Sequence, residues 1–163
     1  MPQPEFNLTV RVYGVDTLLE TNEEVKKRAN APFRLTDSGK LLAKDFQTHV
    51  AQTFRKRGRP KWAPLTDIPP GYGYASYKRR VRPGRSLLVF DGDLKKSLTG
   101  NNKSKGWLYN ARSRRLVMGS RVPYAEYHQD GTSRMVARPL FILTKGVAER
   151  WADIVRDEIF RDI

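Results

Sequence analysis

The sequence predicts a single α+β domain over residues 1–163, with a small antiparallel sheet, amphipathic helices and a long basic loop. Three observations support this fold class: short stretches of alternating apolar residues, two longer stretches with helical apolar spacing, and prolines and glycines concentrated between them. The 163 residues can bury a core without disulfides, and the chain contains no cysteine.

The first predicted element is a strand close to the N-terminus. A period of two favours a strand with one buried face, and this period runs through Phe6, Leu8, Val10 and Val12. Residues 15–30 favour a short helix. Pro32 ends it, because proline disfavours helical backbone at the residue before it.

An amphipathic helix is predicted from about residue 37 to 55, with Thr36 or Asp37 as its cap. Apolar and aromatic side chains recur on one face of this helix at Leu42, Phe46, His49, Val50 and Phe54. The opposite face is expected to turn outward Lys40, Lys44 and Gln47.

Residues 55–84 are predicted to be irregular, because they contain five prolines and four glycines. A structureless stretch of this length is uncommon in a compact domain, so we expect an extended loop or arm at about 56–86. Tyrosines lie among its basic residues, at Tyr72, Tyr74 and Tyr77. Such a pattern stacks on bases or anchors an interface, and we favour packing onto a neighbouring subunit.

The following segment predicts a helix and a hairpin. Leu94 and Leu98 lie at helical spacing after an apolar run at 87–90. Residues 107–112 and 116–120 are predicted to pair as strands, with Ser113 and Arg114 at the turn.

A second amphipathic helix is predicted over about 145–162, with Thr144 as its cap. Its apolar stripe consists of Val147, Trp151, Ile154, Val155 and Ile159. Acidic residues are expected on the exposed face at Glu149, Asp153, Asp157 and Glu158.

The positive charge is concentrated in the middle of the chain. Residues 55–121 contain eighteen Lys and Arg against three Asp and Glu, whereas the flanking segments have net charges of zero and −1. Such a concentrated field attracts polyanions in a salt-dependent way, which favours contact with nucleic acid or an acidic protein surface. A solubilising basic arm is the simpler alternative.

Asp91 and Asp93 are the only close acidic pair in this basic block. A metal-dependent nuclease would place such carboxylates around magnesium. However, Asp-Gly-Asp more often forms a turn and a helix cap, and we favour that interpretation.

The sequence contains no recognisable enzyme signature. His128 precedes a glycine turn without a second histidine nearby, which favours a histidine bonded to backbone at a helix end over a general base. No phosphate-binding loop is present, and two histidines without cysteine argue against a zinc site. We therefore predict no enzymatic activity and no cofactor or metal. With no apolar stretch of membrane-spanning length and no signal peptide, we expect a soluble protein.

Four patches occur in order along the chain. They are Trp62-Ala63-Pro64-Leu65; the apolar run with Gly92, Leu94 and Ser97; Gly119 with Tyr124, Ala125, His128 and Gly131; and Arg138-Pro139-Leu140-Phe141. Together they resemble the virion morphogenesis (tail-completion) family of Mu-type and related tailed phages, from about residue 40 to the end. The sequence departs from the family at Phe90-Asp91-Gly92, where Asp-Thr-Gly is usual, and at Leu140-Phe141, where the order is reversed.

The resemblance implies a homo-oligomeric ring, expected to be hexameric, at the head–tail neck of the virion and assembled in the bacterial cytoplasm. Its implied partners are a portal-side connector or stopper, a tail tube or tail terminator, and double-stranded DNA in transit. It further implies scaffold or interface roles for Trp62, Pro64, Leu65, Gly92, Leu94, Ser97, Gly119, Tyr124, Ala125, His128, Gly131, Arg138 and Pro139.

In such a ring each subunit's basic block would be repeated around an axis. We predict that its side chains face the DNA channel or an acidic neighbouring ring, through Arg55, Lys56, Arg57, Arg59, Lys61, Lys78, Arg79, Arg80, Arg82 and Arg85. The alternatives are a basic nucleic-acid-binding protein, a small nuclease using Asp91 and Asp93, and another neck protein such as a tail terminator or stopper.

Overall fold

The computed structural model describes residues 6–11, 23, 27, 37–67, 71–100, 104–112 and 115–160. Its sheet has three antiparallel strands in the order β1-β3-β2: β1 (Phe6–Arg11), β2 (Trp107–Arg112) and β3 (Arg115–Ser120). In the central strand, Met118 pairs with Leu8 on one side and with Tyr109 on the other. The predicted strands and the α+β class are confirmed, while the turn at 113–114 and residues 12–13 lie outside the described part.

Helix α1 (Asp37–Lys56) confirms the first predicted amphipathic helix. Leu42, Phe46, Val50 and Phe54 are buried, and His49 is half-buried at the edge of the stripe. The outward placement of Gln47 is wrong. Its side chain is half-buried and donates a 2.6 Å hydrogen bond to the Gly100 carbonyl, because the end of another helix packs beside it. The helix predicted over 15–30 lies outside the described residues, apart from the helical positions 23 and 27.

The second amphipathic helix is confirmed as α5 (Lys145–Phe160), which packs against α1. Val147, Trp151 and Ile159 are buried, and the backbone N–H of Val147 donates to Thr144 Oγ1 at 3.4 Å. The exposed position predicted for Glu158 is wrong. Its carboxylate is half-buried and accepts a 3.3 Å hydrogen bond from the Ser38 N–H, at the start of α1.

The core lies between α1, α5 and the sheet. Phe46 is fully buried, with its ring 5.0 Å from that of Phe141 and 5.9 Å from that of Trp107, measured between centroids. Trp151 stacks on the other face of this cluster, 5.6 Å from Phe141, and donates its indole N–H to Asp45 at 2.7 Å. The aromatic side chains therefore join elements that lie about a hundred residues apart in sequence.

The remaining helices are α2 (Tyr74–Val81), α3 (Asp93–Thr99) and α4 (Ala125–Asp130). The prediction of an irregular segment over 55–84 is wrong for α2, whose start is stabilised by a carboxylate from outside the helix. Trp62, in the same segment, is buried in the core. No helix in the described part of the chain is long and apolar enough to cross a bilayer.

Candidate functional site

Cations from two basic stretches of the sequence, 55–61 and 78–85, line one open groove with a volume of about 750 Å³, although the first stretch contributes only Arg57. Arg57 reaches it from the end of α1. Lys78, Arg79, Arg82 and Arg85 line it from α2 and the turn that follows. The rest of the lining is Leu65, Thr66, Asp67, Gly71, Ala75, Pro83, Gly84, Ser86 and Leu87. The sequence predicted the cations but not their arrangement around a groove.

Helix α2 is held in place by Asp67, an unpredicted site residue. Its carboxylate accepts hydrogen bonds from the backbone N–H groups of Ala75 (2.8 Å) and Ser76 (2.9 Å), and from the Ser76 hydroxyl. This arrangement satisfies N–H groups at the helix start, where Gly73 offers no side-chain cap. A Cβ at Gly73 would lie 2.5 Å from Asp67 Oδ1, so glycine is needed for the approach.

Asp67 should make the stability of the fold depend on acidic pH. The Ser76 hydroxyl, followed by the backbone N–H groups of Ala75 and Ser76 and by Arg79, lowers the pKa of Asp67. A lowered folded-state pKa contributes stability that is complete above the ordinary carboxyl pKa of about 3.9 and is lost as the pH falls below it. We expect the free energy of unfolding of Asp67→Asn to fall less than that of the wild type between neutral and acidic pH, as measured by denaturation curves. Asp157→Asn, at an exposed position of α5, is the matched control. The same dependence of stability on pH in Asp67→Asn and in the wild type would contradict the prediction.

The prediction that Lys78 contacts a partner is wrong. Its side chain is buried, and the ammonium donates to the carbonyls of Ser86 and Leu87, closing the turn after α2. Burial lowers its pKa. The lysine therefore supports the groove wall by holding the turn after α2 in place. It points inward from α2, and the buried carbonyls need a donor.

Arg82 joins the groove to the loop that contains the acidic pair. Its guanidinium lies 2.7 Å from Asp91 and 5.1 Å from the centre of the Phe90 ring, against which Tyr77 also stacks. Asp93 begins α3 directly after Gly92, which has a positive φ of 97°. The predicted turn is thus confirmed, but the predicted helix cap is wrong, because the cap position is Gly92 and no side chain caps the helix. The described residues contain no group of three or more acidic or histidine side chains that could hold a metal ion.

The other predicted contact residues are exposed but do not line the groove. They are Arg55, Lys56, Arg59, Lys61 and Arg80. The exposed tyrosines of the same region are Tyr72, Tyr74 and Tyr77, and they also lie outside the groove lining.

The first and fourth sequence patches form one clamp. The indole N–H of Trp62 donates to the Pro139 carbonyl at 2.8 Å. The buried Arg138 guanidinium donates to the carbonyls of Ala63 (2.9 Å) and Pro64 (3.0 Å), and Leu65 continues from there into the groove wall. These residues act as scaffold, and Trp62 pins this loop to the segment before α5.

The second and third patches are also joined. The buried hydroxyls of Ser97 and Ser120 lie 2.6 Å apart, and Ser97 also donates to the Leu94 carbonyl. Leu94 is buried below them. Gly119, one residue before Ser120, lies in the central strand between Asn7 and Leu108.

The third patch ends in α4 and the turn after it. Ala125 is fully buried at the start of α4, and Tyr124 lies across the ring of His128 at a centroid distance of 5.9 Å. Gly131 has a positive φ of 79°, and a Cβ there would lie 2.8 Å from the Ala137 nitrogen. The chain then returns, and Arg138 N–H donates to the His128 carbonyl at 2.7 Å.

His128 lies at the end of a helix, as predicted, but its ring does not bond as expected. The Nδ1 atom is buried and has no hydrogen-bond partner among the described residues. Burial, with a smaller contribution from the positive charge of Arg138, lowers the pKa of His128. The residue therefore packs as a neutral ring beneath Tyr124 near neutral pH.

The chain matches no protein-family model, no curated protein and no solved structure at a significant level. The site must therefore be interpreted from its own geometry and from the resemblance of the four patches.

Proposed function

We propose that this protein is a non-enzymatic ring subunit at the head–tail junction of a tailed bacteriophage. In this role a homo-oligomer, expected to be hexameric, joins the DNA-filled head to the tail and lets DNA pass. Its neighbours would be a portal-side connector or stopper on one side and a tail tube or tail terminator on the other.

The main support is the way in which the four patches behind the resemblance fit together. The first patch is hydrogen-bonded to the fourth through Trp62 and Arg138. The second is joined to the third through Ser97 and Ser120. The third is joined to the fourth by Gln129, whose amide contacts the Phe141 carbonyl and the Leu140 N–H. Trp62, Arg138 and Ser97 belong to the patches themselves, whereas Ser120 and Gln129 lie between residues of the third patch. The four patches thus belong to one hydrogen-bonded scaffold.

The exposed cations supply a second argument. A closed ring repeats each exposed cation around its axis, so the basic face of one subunit becomes a continuous positive band. Such a band suits a channel that transmits DNA or a surface that meets an acidic neighbouring ring.

Light scattering with negative-stain imaging of the purified protein tests this proposal. It should be measured at low and high salt, with and without DNA and tail or connector partners. Rings, or a monomer that forms rings only on those partners, would support the neck role. A persistent monomer that binds DNA tightly and does not associate with phage particles would instead favour a nucleic-acid-binding protein.

Charge reversal outside the groove should block head–tail joining. We expect Arg59→Glu combined with Arg80→Glu to reduce infectious particles at least tenfold, because the reversed charges would repel DNA or an acidic neighbouring ring. Both side chains are exposed and neither lines the groove. The protein should remain folded, since exposed substitutions usually change stability by about 0.5 kcal/mol or less. Particle yield and circular dichroism check the two expectations.

The matched control combines Arg121→Glu with Arg134→Glu, which makes the same charge change at exposed positions elsewhere. Equal losses of infectivity in the two double variants would show that the loss comes from the change in net charge and not from the positions of Arg59 and Arg80.

A further inference from the structure

The groove combines an exposed cationic rim with a less exposed apolar floor. The rim consists of the exposed Arg57, Arg79 and Arg85 with the half-buried Arg82, and the floor consists of the buried Ala75 with the half-buried Leu65 and Leu87. A purely electrostatic surface for DNA needs no such floor, because phosphate contacts come from charged and polar groups. The mixture instead suits a ligand with alternating charged and apolar groups.

Arg57 has an unusual backbone conformation for its residue type. Its φ is +57°, whereas every other described residue with positive φ is a glycine. It follows α1 directly, at the position where helices commonly end in a left-handed glycine. An arginine there is strained, and such strain is common where the side chain has a binding role. The Arg57 side chain does line the groove.

We propose that the groove binds a short, extended, acidic segment of a partner protein, with carboxylates at the arginine rim and apolar side chains on the floor. In an extended segment successive side chains point to opposite sides, so alternating acidic and apolar residues meet both surfaces at once. The inference rests on the proposed function only in taking the partner to be a neighbouring virion protein.

Carboxylates fit this rim because arginine offers two parallel N–H donors to a planar anion. Two of the four arginines already contact carboxylates of this chain: Arg79 lies 3.6 Å from Asp67, and Arg82 lies 2.7 Å from Asp91. Arg57 and Arg85 are exposed and form no ion pair with another described residue. An incoming acidic segment would therefore contact these two arginines first.

A nucleic acid fits the groove less well. Single strands bind on aromatic platforms beside cations, and none of the described residues that line the groove is aromatic. The volume of about 750 Å³ is in the size range of sites for small ligands.

The complementary acids are expected on another protein. Within the described part of the chain, ion pairs already engage six carboxylates, those of Asp37, Asp45, Asp67, Asp91, Glu149 and Asp153. The exposed Asp93, Asp130 and Asp157 each lie in a helix and not in an extended segment. The basic block, in contrast, keeps many exposed cations. The charge imbalance favours a different, acidic chain over a second copy of this one.

Fluorescence anisotropy on the full chain tests the proposal. The probe is a labelled peptide of alternating aspartate and leucine, compared with polyglutamate of equal length, a short oligothymidylate and a DNA duplex. We expect the alternating peptide to bind at least tenfold more tightly than each of the others at physiological salt. Equal or tighter binding of polyglutamate or of either DNA would overturn the proposal, since charge alone would then explain the affinity.

Two groove variants and one matched control locate the site. Arg57→Gly and Arg85→Gln should each weaken peptide binding about tenfold, whereas Arg134→Gln, an exposed change outside the groove and outside the predicted contact residues, should weaken it less than twofold. Because glycine relieves the backbone strain, Arg57→Gly should also raise the Tm by roughly 2 °C. A loss of affinity together with a higher Tm could not be attributed to unfolding.

Unchanged peptide affinity in both groove variants, or an equal loss in Arg134→Gln, would overturn the assignment to this groove. Loss of self-association in Arg57→Gly would assign the site to a second copy of the chain and would also overturn it. If the groove variants form rings normally and bind the peptide as tightly as the wild type, the proposed neck role would stand and only the peptide-binding proposal would be overturned.

Discussion

Replacing Phe46 with alanine is expected to lower the free energy of unfolding by about 3–5 kcal/mol, the usual cost of removing a large aromatic from a packed core. Phe46 is fully buried and contacts the rings of Phe141 and Trp107, so one truncation weakens contacts to the final segment and to the sheet together. Chemical denaturation monitored by circular dichroism measures the change. The native state should lose a large part of the stability that a domain of this size typically has.

Leu41→Ala is the matched control for this prediction. It lies on the same helix, five residues before Phe46, but half of its side-chain surface is exposed. Its substitution should therefore cost much less, about 1 kcal/mol or below. A loss at position 46 no larger than that at position 41 would show that the aromatic cluster does not hold the core together.

Replacing Arg138 with methionine is expected to destabilise the protein by about 3 kcal/mol. The methionine is similar in length but cannot donate to the carbonyls of Ala63, Pro64 and Val136, which the guanidinium contacts at 2.9, 3.0 and 3.3 Å. Hydrogen bonds from a charged group contribute more than neutral ones, and buried carbonyls left without a donor add a desolvation cost. Thermal and urea denaturation give the difference.

Two further variants separate this effect from a loss of charge. Arg134→Met removes an arginine from the same segment between α4 and α5, but at an exposed position. It should change stability by about 0.5 kcal/mol or less. Arg138→Lys keeps the charge but lacks the planar fork needed to contact two neighbouring carbonyls, so it should not restore stability. Wild-type stability in Arg138→Lys would contradict the geometric explanation.

The effect should extend to the groove. Leu65 lies directly after the two residues whose carbonyls Arg138 contacts, and it forms part of the groove wall. A loosened clamp should therefore weaken the proposed peptide binding as well. This coupling would be visible only in the fraction of Arg138→Met that remains folded.

The sequence predicted the elements whose signals are local. A period of two identified β1, and a period of about 3.6 residues identified α1 and α5, because alternation and one-sided apolar faces are determined by neighbouring residues. The paired strands β2 and β3 were predicted as a hairpin with a turn between them.

The sequence also predicted where the positive charge is concentrated along the chain, but not which of the cations are exposed or where they lie in the structure. It grouped Lys78 with the contact residues, although this side chain is buried and bonded to two carbonyls. It missed α2, because the cap comes from Asp67, six residues before Gly73 and outside the helix. Asp67 is the only acid between residues 46 and 90, a signal that could have marked it.

By itself, the sequence determined the fold class, the two long amphipathic helices, the paired strands and the basic middle of the chain. Only the tertiary structure decided that Arg57 and Arg85 share one groove, that Arg138 is a buried clamp, and that Gln47 and Glu158 turn inward. The physical reason is that these features depend on contacts between residues far apart in the chain. Such contacts form only after the core has packed, and no local spacing records them.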